Sequence, residues 1–413
     1  MLSDEGPVPT LDPVATFRTY LIRNARHALR QIREPLTSER LSAILQALDF
    51  ALAYPQAWPE ARALIASLAP LMAHRNLHAA WLDMLNRGLA QARKHGDREG
   101  EIMLHFYLGD FLRRMDRGEE AQRHLQRALH MATDLDQWIW RVRAANRLAM
   151  LWRRQRRWSE AENLLRQVEV WLREEAMPWE EGYACLTWGA LHFDQRRWQD
   201  ALQALRCSVE RWTATQDNRM KARALMNLAP VLRRLGRAGE AARYLREAIE
   251  TLSLEGDSVE LGVAYMNLGV TLSDHLDRPE EALLGYRQAE RIFRAFGDEF
   301  HLNMVITDIG RAYFDLKRWP EAIRTLQQAV ARWEAQGDLS RRINAQAALI
   351  AALFETGERE EAWRMLAKAR ADAQRLPPAH RAAREDALAQ VEAMMRRREG
   401  AGAHDHRCSH AHP

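Results

Sequence analysis

The sequence of 413 residues contains little cysteine and no long apolar run. Its three cysteines, Cys185, Cys207 and Cys408, lie at spacings that suit neither a disulfide framework nor a structural zinc site. No segment approaches the roughly 18 consecutive apolar residues of a transmembrane helix. The acidic, proline-containing N-terminus lacks the basic and apolar segments of a secretory signal. We therefore expect a protein of the reducing cytoplasm.

Catalytic motifs are also absent from the sequence. It contains no Walker loop, no dinucleotide-binding fingerprint, no zinc-binding H-E-x-x-H motif and no G-x-S-x-G elbow. Adjacent acidic residues lie at helix ends, where they complement the helix dipole. Because no convergent set of reactive side chains is visible, we expect a protein that is not an enzyme and needs no cofactor.

Lysine is scarce, with only four residues, so arginine supplies almost all of the positive charge. This bias is compatible with recognition of carboxylate or phosphate groups, and equally with a GC-rich genome. Hydrophobic residues make up 47% of the sequence and charged residues 28%. That composition excludes disorder for the bulk of the chain.

A repeat of about 40 residues organises the sequence. A small residue early in one predicted helix recurs seven times at an almost constant spacing, and a large residue follows it four positions later. A preceding helix carries a large apolar residue followed by Gly or Ala in six of the seven units. No β-alternation occurs. The pattern predicts antiparallel helix pairs, and the recurring alanines are Ala121, Ala161, Ala201, Ala241, Ala282, Ala322 and Ala362.

This pattern resembles the tetratricopeptide repeat, most clearly in AYMNLGVTLSDHLDRPEEALLGYRQAERIF at 264–293. The unit is longer than the usual one of that family, which has about 34 residues. Longer units of this kind are similar to those of kinesin light chains, bacterial quorum-peptide receptors and sensor arrays of signal-transducing ATPases. The resemblance implies an all-α fold, a right-handed α-solenoid (superhelix) of antiparallel helix pairs.

Five segments are predicted along the chain. Residues 1–12 are expected to be disordered, and 13–97 to form degenerate helical repeats or an N-terminal cap. Seven repeats follow at 98–376, then a capping helix at 377–399 and a disordered, histidine-rich tail at 400–413. The tail carries weak candidate metal ligands, although its spacing favours a flexible chelator over a preformed site: His404, His406, Cys408, His410 and His412.

The resemblance places the first helix of each pair along a concave groove, where the binding site is expected. The groove positions carry aromatic residues, asparagines and arginine pairs; Asn227 and Asn267 are similar to asparagines that hold a peptide backbone in related arrays. The candidate binding residues are Phe106, Arg113, Arg114, Arg143, Asn146, Arg153, Arg154, Tyr183, Arg223, Asn227, Arg233, Arg234, Asn267 and Arg311.

Charge is uneven along the repeats. Residues 141–240 contain 19 basic and 12 acidic residues, whereas 241–340 contain 11 and 17. The leading hypothesis is a non-enzymatic scaffold that binds a protein or peptide in its groove. The arginine-rich segment is compatible with an acidic ligand. The alternatives are a regulatory sensor that acts in trans on a signalling ATPase or transcription regulator, and RNA binding through the basic segment. No membrane partner is expected, and nucleic acid is the least favoured partner.

Overall fold

The computed structural model describes residues 13–32, 37–72, 78–254 and 256–408. Within these ranges the chain forms nineteen α-helices, a short 3-10 helix at Pro55–Ala57 and no β-strand. The contacts divide the chain into two compact units, Met1–Gln195 (unit 1) and Arg196–Pro413 (unit 2). Within each unit, helices that follow one another in the sequence pack together. The expected all-α solenoid of helix pairs is confirmed.

Unit 1 contains the first nine helices. Four helices precede the regular repeats, and the following five each contain 17 residues. The bounds are α1 Pro13–Gln31, α2 Ser38–Ala53, α3 Trp58–Met72, α4 His78–Lys94, α5 Arg98–Arg114, α6 Gly118–Asp134, α7 Trp138–Arg154, α8 Trp158–Glu174 and α9 Pro178–Asp194.

Unit 2 contains the remaining ten helices in the described ranges. The repeat spacing continues through the unit boundary without interruption, so the sequence carries no signal of that boundary. The bounds are α10 Trp198–Ala214, α11 Asn218–Arg234, α12 Ala238–Ser253, α13 Val259–Leu276, α14 Pro279–Phe296, α15 Glu299–Asp315, α16 Trp319–Ala335, α17 Leu339–Glu355, α18 Arg359–Ala373 and α19 Pro378–Cys408.

Glycine permits close approach where the helices of a pair cross. A Cβ atom placed on Gly109 of α5 would lie 2.5 Å from Cγ of Leu125 in α6. A Cβ atom on Gly310 of α15 would lie 2.6 Å from Cγ of Leu326 in α16. Both leucines are fully buried. The crossing position inferred from the repeat therefore has the same geometry in both units.

Most turns between helices of the repeats share one backbone conformation. In these turns the second residue after the helix is left-handed whether or not it is glycine, with φ of 60° at Arg156 and 58° at Lys317. The next amide closes the helix end, as when Arg157 N–H donates to the carbonyl of Trp152 at 2.9 Å. This shared turn keeps the helix starts at a regular spacing along the chain.

The ends of the chain differ in part from expectation. Helix α19 runs to Cys408, beyond the predicted end of the capping helix at residue 399. The predicted disorder of residues 1–12, and the tail residues 409–413, lie outside the described residues. No described helix combines the length and apolar character needed to cross a membrane.

Two of the cysteines are not free thiols. Cys185 and Cys207 each belong to a disulfide, which the spacing of the cysteines did not predict. Disulfides form mainly in oxidising compartments, so this observation does not support the predicted reducing compartment. The cytoplasmic location therefore stays a prediction.

Candidate functional site

The candidate residues lie on the first helices of the pairs. We call the surface formed by these helices the first-helix face. In unit 1 it comprises α5, α7 and α9, and in unit 2 it comprises α11, α13, α15 and α17. Contacts between successive first helices occur within both units. Each face thus collects side chains that are one repeat apart in the sequence.

A single carboxylate in unit 1 is surrounded by three guanidinium groups. Asp110 of α5 accepts hydrogen bonds from Arg113 Nη2 at 2.6 Å and from Arg114 Nε at 3.2 Å. Nε of Arg147 in α7 lies 3.0 Å from the same carboxylate. The side chains of Asp110 and Arg113 are only 16% and 7% exposed. Burial opposes ionisation, yet the arginines hold the pKa of Asp110 well below its usual range.

Two further arginines connect α7 to α9. Arg143 Nε donates to Glu180 Oε1 at 2.6 Å, and Arg153 Nη1 donates to Asp194 Oδ2 at 3.0 Å. Burial lowers the pKa of Arg153, and Asp194 opposes that effect. Glu180 is buried, whereas Asp194 is 35% exposed. The pair at Asp194 is therefore the one that a ligand in solvent can reach more readily.

A third arginine of α7 points towards α5. Arg154 donates to the backbone carbonyl of Arg113 at 3.2 Å and to Asp116 Oδ1 at 3.1 Å. The Asp116 side chain is 90% exposed, so this pair lies at the surface. Such a pair contributes little to stability and can exchange for a ligand carboxylate at small cost.

Aromatic rings border the charged cluster. The guanidinium carbon of Arg147 lies 3.5 Å from the centroid of the Tyr183 ring and 5.7 Å from that of Phe106. The Tyr183 hydroxyl lies 3.6 Å from Sδ of Met150. Phe106 and Tyr183 are both almost fully buried. These rings hold the arginine in place by cation–π contact.

Several candidates are therefore less exposed than the sequence predicted. Because successive first helices pack side by side, positions three before and four after the crossing residue lie between helices, and so does Tyr183, six before it. Asn146 is fully buried, and neither amide atom has a hydrogen-bond partner among the described residues. The expectation of exposure is wrong for Phe106, Arg113, Asn146 and Tyr183.

Unit 2 has the opposite distribution of charge. Arg311 of α15 lies 3.5 Å from Asp274 of α13 and 3.9 Å from Asp308 on its own helix. Asp315 Oδ2 accepts from Ser273 Oγ at 3.3 Å. Burial raises the pKa of Asp308 to about 7, with Arg311 acting against the shift and Asp274 adding to it. One cation here faces three carboxylates.

The remaining unit 2 candidates differ in their surroundings. Arg233 donates to Thr271 Oγ1 at 3.1 Å, and its neighbour Arg234 is exposed. The Asn227 amide donates to the carbonyl of Arg223 one turn earlier at 2.8 Å, so it is engaged within its own helix. Arg223 and Asn267 are half-buried. The structure thus places these residues on the face without joining them into one cluster.

The most constrained members of both clusters were not among the predicted residues. Asp110 and Arg147 complete the unit 1 cluster, and Asp274 and Asp308 complete that of unit 2. Their signal in the sequence is position: Asp110 and Arg311 both follow the crossing glycine, while Arg147 and Asp308 both precede the crossing residue by two. Opposite charges at equivalent positions could have been found by aligning the repeats.

The candidate metal ligands of the tail remain predictions. The side chains of His404, His406 and Cys408 belong to a part of α19 whose burial is not described, and His410 and His412 lie outside the described residues. Among the described residues, no group of three or more His, Cys, Asp or Glu side chains is suited to a metal ion.

Known structures share this fold. A signal transduction ATPase with numerous domains and a tetratricopeptide repeat sensor from Pyrococcus horikoshii has a TM-score of 0.61 and 16% identity, covering 82% of this chain. The chain spans 53% of that protein. The apo quorum sensor NprR from B. thuringiensis has a TM-score of 0.57 at 13% identity, covering 78% of this chain and 89% of its own.

A Rap protein complexed with competence and sporulation factor is also similar. Its TM-score is 0.51 at 15% identity, with coverage of 70% of this chain and 80% of its own. At these identities the likeness establishes the fold alone. A search of curated protein sequences gives no match.

Family comparison agrees with the repeat analysis. Tetratricopeptide repeat families match residues 101–169, 183–253, 222–295 and 304–335, which together take in more than half of the chain. These segments contain the crossing glycines and both charged clusters. The chain therefore belongs to the tetratricopeptide repeat family.

Proposed function

We propose that this chain is a non-enzymatic regulatory protein that binds a peptide or protein segment along its first-helix faces. The observation that carries the proposal is the set of arginines of α7. Arg143, Arg153 and Arg154 reach both neighbouring first helices, and each remains partly exposed. A bound segment can exchange its own carboxylates and backbone carbonyls for the carboxylates that these arginines now hold.

The similar structures support a regulatory form of this proposal. One is described as a quorum sensor, one carries a repeat array described as a sensor, and one is complexed with competence and sporulation factor. A chain with the same fold can act in trans by responding to such a segment. We therefore combine the scaffold and the sensor alternatives rather than separate them.

The RNA alternative has weaker support. An RNA-binding face needs an excess of positive charge, because carboxylates on the same face repel the phosphates. Most arginines of the unit 1 face are instead held by carboxylates of the same face, namely Arg113, Arg114, Arg143, Arg147 and Arg153. Their pairing favours a protein ligand that matches an alternating pattern of charges.

Selection of random peptides displayed on phage tests the proposal. The full chain is immobilised as wild type, as the double variant Arg153→Gln/Arg154→Gln, and as the control Arg166→Gln/Arg173→Gln on the second helix α8. Arg166 is 64% exposed and pairs with Glu162 one turn away, so its removal leaves the first-helix face intact.

We expect wild type and control to enrich the same peptides, and the α7 variant to bind them at least tenfold more weakly by calorimetry. A tenfold change corresponds to about 1.4 kcal/mol, which is the scale of one or two charge-assisted hydrogen bonds. Failure of the wild type to enrich any peptide would contradict the proposal. Equal binding by all three proteins would show that the arginines of the unit 1 face do not contribute to peptide binding.

A further inference from the structure

Unit 2 contains a cavity of about 730 Å³ beside its first-helix face. Its walls come from α15, the end of α16, the start of α17 and the start of α19. The residues that matter for its chemistry are Asp308, Trp333, Arg341, Asn344, His380 and Arg384. A cavity of this size accommodates a large amino-acid side chain together with its flanking backbone.

Asp308 is the carboxylate of this cavity that is only weakly compensated. Its side chain is only 17% exposed, and the hydrogen bonds of the described residues include none to its carboxylate. The nearest cation, Arg311 Nη1, is 3.9 Å away and also faces Asp274. A buried carboxylate without donors is unfavourable, so it favours a ligand that brings a positive charge with N–H donors.

The other carboxylate of the cavity is already engaged. Asp338 caps α17 by accepting from the backbone N–H of Arg341 at 2.9 Å, and it also holds the Arg341 guanidinium at 2.5 Å. The same guanidinium lies 4.5 Å and 5.5 Å from the ring centroids of Phe300 and Trp333. Arg341 is therefore fixed on its own wall and does not neutralise Asp308.

We propose that this cavity binds the side chain of a lysine or arginine in the peptide ligand, with Asp308 as its counter-ion. The inference rests on the proposed function, since it assigns one subsite of the same first-helix face. The half-buried Met304 and Leu339 line the cavity and provide apolar contacts for the methylene groups of such a side chain. His380 and Arg384 of α19 face the cavity as well, so the charged end of the ligand must lie towards α15 and away from α19.

Binding at this subsite should depend on pH. Because burial raises the pKa of Asp308 to about 7, a large share of the free protein carries a neutral Asp308 at pH 6. A cationic ligand binds the ionised form, so binding releases a proton and strengthens as the pH rises from 6 to 8. The charged groups that act on Asp308 are Arg311 of its own helix and Asp274 of α13, while Arg341, His380 and Arg384 line the other walls of the cavity.

The test uses the displayed random peptides on the full chain as wild type, Asp308→Asn and Asp257→Asn. Asp257 is 40% exposed, pairs with Arg291 of α14 and does not line the cavity, so it controls for the loss of one negative charge. We expect wild type and Asp257→Asn to enrich peptides with a lysine or arginine at one fixed position. The Asp308→Asn variant should lose that preference and bind the enriched basic peptide at least tenfold more weakly.

Calorimetry of that peptide at pH 6, 7 and 8 provides a second readout. We expect an increase of up to about tenfold in affinity for wild type and for His380→Gln, and no increase for Asp308→Asn. Enriched peptides without a basic position, or equal binding by Asp308→Asn, would overturn the subsite while leaving peptide binding intact. A wild type that enriches nothing would instead contradict the proposed function itself.

Discussion

The first-helix faces of the two units place opposite charges on the same framework. After the crossing glycine, unit 1 has Asp110 and unit 2 has Arg311. In unit 1 the acid is held by three arginines, and in unit 2 the base faces three aspartates. The crossing geometry at Gly109 and Gly310 is nearly the same. Side-chain charge can thus be varied freely on this fold while the helix packing stays constant.

The clusters also differ in how well their buried charges are compensated. Asp110 accepts several hydrogen bonds from guanidinium groups and has a lowered pKa, whereas Asp308 has no such donor among the described residues and a raised pKa. We therefore expect Asp110 to stabilise the fold of unit 1, and Asp308 to bind a ligand in unit 2.

Removing the acid of unit 1, Asp110, should cause the largest loss of stability. In Asp110→Asn the nearly buried Arg113 and the stacked Arg147 lose their shared counter-ion, and breaking a buried pair in this way costs about 3–5 kcal/mol. Urea unfolding of the full chain measures the loss. The control Asp116→Asn removes only the exposed partner of Arg154 and should change stability by less than about 1 kcal/mol. Similar effects of the two changes would show that burial of the Asp110 cluster does not matter.

Removing the acid of unit 2, Asp308, should instead increase the stability of the chain. The pKa of Asp308 is about 7 in the folded chain and near 4 when unfolded. A pKa raised by folding means that stability is full below the unfolded pKa near 4 and is lost as the pH rises from 4 through 7. At pH 8 the free energy of unfolding of Asp308→Asn should therefore exceed that of wild type by on the order of a few kcal/mol. The variant should then unfold at a higher urea concentration.

At pH 5 the difference between Asp308→Asn and wild type should fall to about a third of its value at pH 8, because the carboxyl group is then neutral in the folded chain but still mostly ionised in the unfolded chain. The difference should nearly vanish only below pH 4. Unfolding at pH 8 and at pH 5 separates this effect from a general change in packing. A variant that is destabilised at pH 8 would mean that Arg311 compensates Asp308 far better than their separation of 3.9 Å suggests.

The helix crossings at Gly109 and Gly310 should be equally sensitive to an added methyl group. Alanine at Gly109 or Gly310 would place its Cβ within 2.6 Å of a buried leucine, so the helices must separate. Overpacking of this kind costs about 1–3 kcal/mol. Gly239→Ala, where no atom lies within 4 Å of the added carbon, is the control and should stabilise α12 slightly. Unequal losses at the two crossings, measured by urea unfolding, would contradict the shared geometry.

The sequence predicted the framework far better than the site. The spacing of Ala121 and its equivalents determines helix pairs and crossings, because small residues recur wherever backbones approach. The burial of Asn146 and Tyr183 was missed because it depends on contacts between helices of successive repeats. The cavity at Asp308 could not be predicted either, since one of its walls is supplied by α19, which comes much later in the chain and lies outside the repeats.

The smallest predicted effect concerns the turns, where both units use non-glycine residues in a left-handed conformation. Arg156 in unit 1 and Lys317 in unit 2 have φ near 60°, a region that costs other residues about 1 kcal/mol relative to glycine. Arg156→Gly and Lys317→Gly should each stabilise the chain by about 0.5–1 kcal/mol, offset in part by the greater entropy of the unfolded glycine. Gly337→Ala, with φ of 69°, makes the reverse change and should destabilise by a similar amount. Thermal unfolding of the three variants measures this. A gain in one unit alone would mean that the turns, unlike the crossings, are not equivalent, and that the difference between the units extends from side-chain charge to the backbone.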